Sequence, residues 1–368
     1  MVALAELRAV LRVAASKRNA PAHVSFTPAA LEPFLAAIRA RQQHYELHTP
    51  EGQWRLADVS RELAHMLPSA ARRSIGAIYD AGSSPCVLIR GLPLPDAAPP
   101  VFSPLLHELD AHAAQTLLPT LAVHAAVGAC AGVQYTFLEE RGENAFHLVM
   151  PAPHVPAGTQ SSVGASAVNF HTEDPIAPID VYQPRALCLS MVRPQPGVQT
   201  ALTPVDAMAE DLLGTEALLL PTLAASRFRH PAPDVVRIMG GHRAREVEGA
   251  YDSAEGRPVL YVRRRADEPA GAPTAHAALI LVEQTEPLDP TDAEARVALV
   301  ALRRLLARHA ARFELAAGEL LCWANQRVAH GRTGALQPQY GGRDRLLIRS
   351  FHHPTPPPTR VVRSLAAV

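Results

Sequence analysis

The chain of 368 residues is almost without lysine: Lys17 is the sole one, so every other member of its 35 basic side chains is arginine. A buried cation that has to hold an anion must therefore be a guanidinium, which forks onto a carboxylate where an ammonium offers a point charge. Net charge is lacking too. With 35 basic against 35 acidic residues the formal charge is zero, which gives no electrostatic case for nucleic acid or an anionic membrane as partner. No apolar run reaches the length that a bilayer-spanning helix needs. The stretch from Met1 to Arg12 is broken by charges every few positions and predicts an amphipathic helix, not a signal peptide. Cysteine is sparse: Cys86, Cys130, Cys188 and Cys322 are scattered, with no C-x-x-C. They predict buried free thiols in a reducing compartment and no zinc-type cluster. The expectation is a cytoplasmic protein acting on a small molecule.

Against these absences stands His171-Thr172-Glu173, joined far downstream by His330 and, fifteen residues beyond that, by Arg345. Two imidazoles and one carboxylate make the facial set that holds Fe(II) and leaves three coordination positions open. Ala167 to Phe170, bounded upstream by Gly164, reads as a strand. Residues i and i+2 of a strand face one side, so His171 and Glu173 point into one cavity. A second His-x-Glu, at His44-Tyr45-Glu46, follows a helical stretch from Phe34 to Gln43 and is expected at the surface. His147, His154, His230, His242, His352 and His353 have no ligand spacing and are expected to be structural or exposed; Phe170 and Trp323 are expected in the core. Downstream, Gly318 to Thr333 runs from a turn into a strand, through a polar corner, to His330. Asp344 to Phe351 is an apolar strand carrying Arg345 and Arg349, four apart and thus on one face. A buried arginine pair beside a metal invites a dicarboxylate.

These residues resemble the clavaminate synthase-like, TauD-related branch of the Fe(II)/2-oxoglutarate-dependent dioxygenases, which includes amino-acid hydroxylases. The resemblance runs from about Cys86 to Phe351: Cys86 to Pro93 is similar to the first core strand, and Thr159 to Gly164 to the approach to the metal motif. It implies an α+β fold with a double-stranded β-helix core of the jelly-roll or cupin kind, carrying N-terminal and inserted helices. It implies His171, Glu173 and His330 as iron ligands, with Arg345 and Thr203 on the distal carboxylate of 2-oxoglutarate, which reacts with O2. Arg349 and Ser161 or Ser162 fall where the family contacts co-substrate or substrate. Asp174 either meets a substrate amine at the cavity mouth or caps a turn before Pro175. Since Lys17 stands alone, relatives that anchor 2-oxoglutarate with a core lysine, such as the JmjC group, are excluded.

The chain departs from the family in three places. Ala324-Asn325 stands where the family writes Asp-Asn, and one extra residue lies between His330 and Arg345. The paired aspartates that recognise a guanidinium have no counterpart in Tyr251 to Ala270, which holds Arg263, Arg264 and Arg265 with Asp252 and Asp267. The expected organisation is a helical region over 1–80, a dioxygenase core over 81–353 and an extended tail over 354–368. Helices are predicted near Ala3 to Ala15, Phe34 to Gln43 and Arg55 to Met66, and from a capping box at Thr291 to Glu294 onward. The expected reaction is hydroxylation of an unactivated C–H bond of a free or carrier-tethered amino acid, or of a related small molecule, with release of succinate and CO2. Halogenating relatives lack the metal carboxylate, so Glu173 argues against halogenation. The alternatives are a taurine-type sulfonate dioxygenase and a non-catalytic metal- or ligand-binding protein of the same fold.

Overall fold

In the computed structural model, which describes residues 2–16, 20–137, 143–173, 183–231, 256–263, 275–355 and 362–364, the chain folds as α+β. The larger sheet runs, in spatial order, through β1 (Ala22–Ser25), β2 (Cys86–Arg90), β13 (Leu320–Ala324), β6 (Ala186–Arg193), β15 (Leu346–His353), β3 (Val133–Phe137) and β16 (Val362–Ser364), with β4 (His147–Val149) also paired to β15. All of these pairs are antiparallel except β1 with β2. The smaller sheet has the order β12 (Ala311–Phe313), β7 (Gln199–Pro204), β14 (Val328–Thr333) and β5 (Val168–His171). Two short antiparallel pairs complete the strands among the described residues: β8 (Phe228–Arg229) with β11 (Glu286–Pro287), and β9 (Leu260–Arg263) with β10 (His276–Leu279).

Period two sorts the side chains into layers. On β13, Leu320, Cys322 and Ala324 face one way, while Leu321 and Trp323 face the space between the sheets. On β15, Leu346 and Ile348 likewise oppose Leu347 and Phe351. The outer face of the larger sheet is covered by the helix Leu118–Ala129, and the helices Pro28–Arg39 and Pro50–Glu62 pack on that helix, in one core that includes Phe34, Trp54 and Leu121. Leu118–Ala129 is apolar nearly all round, as a helix buried on every side must be. Ala329 of β14 instead joins a core built from the helices Val2–Ala15 and Ala293–Arg308. Every residue of β13 and of β15 is buried, as in a sheet covered on both faces.

Several element boundaries differ from the sequence expectation for local reasons. The second helix starts six residues early, at Pro28, because Thr27 caps it by accepting from the Ala30 N–H and proline suits a first turn. The long late helix is capped by Asp292, not Thr291: its carboxylate accepts from the Ala295 N–H at 2.9 Å. Glu294 is engaged instead by Thr222 and Arg227. The N-terminal region also supplies β1, four residues too short to register as a strand pattern. His44 and Glu46 are exposed, as expected. No helix among the described residues is long and apolar enough to cross a membrane.

Three of the cysteines are buried and Cys130 is half-buried, all as free thiols; Cys188 and Cys322, far apart in sequence, are direct cross-strand partners. Behind β15, His124 bridges Ser190 and Ser350 at 2.7 Å each, and Ser350 meets His352 at 2.7 Å. Burial, with the neighbouring His352, pushes His124 down to about 3; burial pushes His352 down to about 4. Both histidines are therefore neutral in the fold but charge below about 6.5 once unfolded. Their stabilisation is present above that pH and is lost as pH falls, by up to about 1.4 kcal/mol per pH unit for each. The thermal midpoint is expected to drop steeply from pH 6.5 to 4.5, and less steeply in His124→Gln. Equal slopes in the two proteins would assign the acid sensitivity elsewhere.

Candidate active site

β14 is the centre of the site, since its inward-facing positions carry Val328, His330 and Arg332. His330 is the Cα partner of His171 on β5, and their rings lie 4.1 Å apart. The register slips between His330 and Arg332, where β5 spends an extra residue; such a bulge re-aims side chains at the end of a strand. Gly331 sits in the tight crossing: a Cβ there would stand 2.7 Å from the Val168 carbonyl oxygen. Gly331→Ala is expected to push β5 from β14, to cost about 1–3 kcal/mol, and to weaken metal binding by separating the two histidines. Unchanged metal affinity in a folded variant would show that the close approach is incidental.

Glu173 lies two residues past His171, just after the strand. Its Oε2 is 3.2 Å from His330 Nε2 and 3.8 Å from His171 Nε2. The ligand atoms of these three residues all lie within 4.8 Å of one another. Glu173 Oε1 accepts from Arg349 Nη1, which leaves Oε2 as the oxygen turned to the histidines. His171 Nδ1 donates to the Asn169 carbonyl at 2.8 Å, so the lone pair is left on Nε2. Glu283 Oε1 approaches the same Nδ1 at 3.4 Å. Burial acts against the charged imidazole, but Glu283 foremost, together with Glu173, lifts His171 to about 9. Burial and the charge on His171 push His330 down to about 4. Glu173 is held well below the carboxylate range: burial opposes this, and Arg349, His171 and His330 overcome it.

Asn325 locks this arrangement from behind. Its Oδ1 accepts from the Glu173 N–H at 2.8 Å, and its Nδ2 donates to the carbonyls of Glu173 and Pro184 at 3.1 and 2.9 Å. Thr172 is fixed to the Leu281 backbone by both its N–H and its hydroxyl.

A cavity of about 90 Å³ opens in front of the three ligand atoms. Arg345, Arg349, Ser161 and Ser162 line it, and so does Trp323, expected in the core; Glu283, Arg332 and Thr200, which the sequence did not single out, line it too. Trp323 also belongs to the inter-sheet core, with its ring 5.0 Å from that of His330. Thr203 is a correction. On β7 the inward positions are Thr200 and Leu202, so Thr203 faces the opposite way and its hydroxyl donates to the Leu306 carbonyl at 2.8 Å. Arg263 is buried on β9 and does not line the cavity. Asp174, Asp252, Arg264, Arg265 and Asp267 lie outside the described residues.

Residues 87–351 match the family model described as taurine catabolism dioxygenase TauD, TfdA family, and the chain belongs to that family. It is accordingly an Fe(II)/2-oxoglutarate-dependent dioxygenase, with Fe(II), 2-oxoglutarate and O2 as its reaction partners; the resemblance read from the sequence holds. Among solved structures, the chain is similar to an asparagine oxygenase in complex with Fe(II), 2S,3S-3-hydroxyasparagine and succinate. That match has 23% identity and a TM-score of 0.68, over 90% of this chain and 93% of the other. It is also similar to the non-heme iron oxygenase OrfP in complex with Fe, succinate and (3S)-hydroxy-L-Arg, at 21% identity and a TM-score of 0.70, over 90% and 94%. No curated protein sequence matches the chain significantly.

The donor set fits the metal and co-substrate. Two imidazole nitrogens and one carboxylate oxygen converge from one side and leave the cavity side open. Arg345, buried at that cavity, has no hydrogen bond or ion pair with any described residue, as a group awaiting a carboxylate should.

Proposed function

We propose that this dioxygenase hydroxylates an unactivated C–H bond of an amino acid, free or carrier-tethered, or of an amino-acid-derived small molecule, releasing succinate and CO2. The chemistry takes place between the two sheets, which we take as the halves of a double-stranded β-helix forming the core of the chain. His171 and His330 would hold Fe(II) through Nε2 and Glu173 through Oε2, while Arg345 would hold the distal carboxylate of 2-oxoglutarate.

The observation that carries this reading is the single cavity where three convergent ligand atoms meet buried guanidinium groups. When bound, iron with 2-oxoglutarate and O2 supplies the oxidant that places oxygen on a C–H bond. The residues of the chain supply everything else. The bond from Arg349 to Oε1 restrains Glu173 to one oxygen toward the metal, and Asn325 fixes its backbone. Trp323 and Leu189 keep water from the inner wall. An amino-acid substrate is supported by the cavity bearing arginine side chains together with the Glu283 carboxylate, groups of both signs that suit a zwitterion, and by the amino acids named with the two similar oxygenases. Ser161 and Ser162, on the wall that Arg332 ties down, are placed to meet that substrate. The free thiols suit a reducing compartment, which we take as the cytoplasm.

The test is a succinate-release screen over amino acids and sulfonates, with mass spectrometry of the products. Stimulation by an amino acid and a product heavier by one oxygen are expected. Stimulation by sulfonates alone would make the enzyme taurine-type, and no succinate under any condition would favour a non-catalytic protein. A chlorine isotope pattern in the product would contradict the role given to Glu173.

A further inference from the structure

We propose that Arg332 is a second anchor for the distal carboxylate of 2-oxoglutarate, clamping it against Arg345 so that each sheet contributes one guanidinium. The proposal rests on reading this cavity as the co-substrate site.

Arg332 lies two residues past His330 on β14, and period two turns both toward the cavity. Arg345 immediately precedes β15 of the facing sheet and lines the same cavity. Both side chains are buried, with residue exposures of 7% and 4%. Neither has an ion-pair partner among the described residues, and both Nε atoms are buried without a hydrogen bond. Arg349 and Arg327 share the bare Nε but differ in charge pairing, since Arg349 pairs with Glu173 and Arg327 with Asp206. Burying one uncompensated guanidinium is costly, and two at one cavity are more so unless a bound anion completes the site.

A carboxylate has two oxygens, and two guanidinium groups facing it from opposite walls satisfy both. Arg332 is aimed before any ligand arrives, because its Nη2 donates to the Gly164 carbonyl at 2.6 Å and also to the Ser166 carbonyl. Thr200, the Cα partner of Arg332 across β14 and β7, lines the cavity beside it. The position expected of Thr203 is thus filled by other groups.

The experiment is an anaerobic titration of the Fe(II)-loaded enzyme with 2-oxoglutarate, followed by its visible charge-transfer absorption. Pyruvate, which has the same chelating end and no distal carboxylate, is titrated in parallel. Arg332→Leu is expected to weaken 2-oxoglutarate binding by about 10- to 100-fold and to leave pyruvate binding unchanged. Arg332→Lys, which keeps the charge but not the fork, is expected to lose less, again for 2-oxoglutarate alone; it serves as the folded variant should the leucine fail to fold. Equal losses for both ligands, or no loss for either, would overturn the proposal. Absence of any 2-oxoglutarate signal in the wild-type protein would instead overturn the co-substrate site itself.

Discussion

Alanine at His171 or at His330 is expected to abolish succinate release while the protein stays folded. The loss should exceed the roughly 10- to 100-fold that follows removal of a ligand's outer hydrogen-bond partner, since here the ligand itself is removed. Folding should survive because neither ring carries the core. His330 Nδ1 has no hydrogen-bond partner among the described residues, and His171 holds only the Asn169 carbonyl and the neighbouring carboxylates. Glu173 behaves differently. Its removal also strands Arg349, buried and deprived of its carboxylate, so Glu173→Ala is expected to lose stability together with activity. Anaerobic Fe(II) binding and thermal unfolding separate these cases: the histidine variants should lose the metal with little change in midpoint, and Glu173→Ala should lose both. Full turnover in either histidine variant would remove it from the ligand set.

The convergence of three donors was legible in part because the spacing of His171 and Glu173, at i and i+2, is local, while the distant His330 closes a polar corner. Arg345 and Arg349 were legible as a pair for the same reason, four residues apart on one strand. The rest was hidden by burial on both faces. When every position of β15 and nearly every position of β7 is buried, polarity no longer tells inward from outward, and Thr203 is as plausible as Thr200. Only the pairing of β7 with β14 settles which threonine sees the cavity. Arg332 is inconspicuous in the sequence because a lone arginine after a histidine looks like any other in a chain whose cations are nearly all arginine; its significance lies in having no carboxylate beside it. Glu283 reaches the cavity from a segment with no motif. Asn325 stands in the sequence only as the survivor of an altered pair, although its three hydrogen bonds hold the backbones of Glu173 and Pro184. The cysteines, scattered along the chain, could not reveal that β6 and β13 lay Cys188 against Cys322.

Arg327→Leu is expected to destabilise the protein by about 3–5 kcal/mol, the range for breaking a buried ion pair from one side, and to lower the thermal midpoint by on the order of 10 °C. Arg327 lies between Asn325 and His330 and is almost wholly buried. Its Nη1 donates to the carbonyls of Ile78 and Asp80 at 2.7 and 2.9 Å. Its Nη2 donates to the Ser83 carbonyl at 3.2 Å and to Asp206 Oδ2 at 2.7 Å. One guanidinium thus ties the turn before β2, the segment after β7 and the corner that leads into β14. Leucine would leave three carbonyls and one buried carboxylate without their donor. Asp206→Asn in the same background should recover part of the loss, because an amide is cheaper to bury unpaired than a carboxylate. Since the corner also aims Asn325 at Glu173, Arg327→Leu should weaken Fe(II) binding even at temperatures where the protein remains folded. If the single and double variants unfold alike and bind metal as the parent does, Arg327 is only a packed side chain, and the link between the N-terminal turn and the metal ligands does not exist.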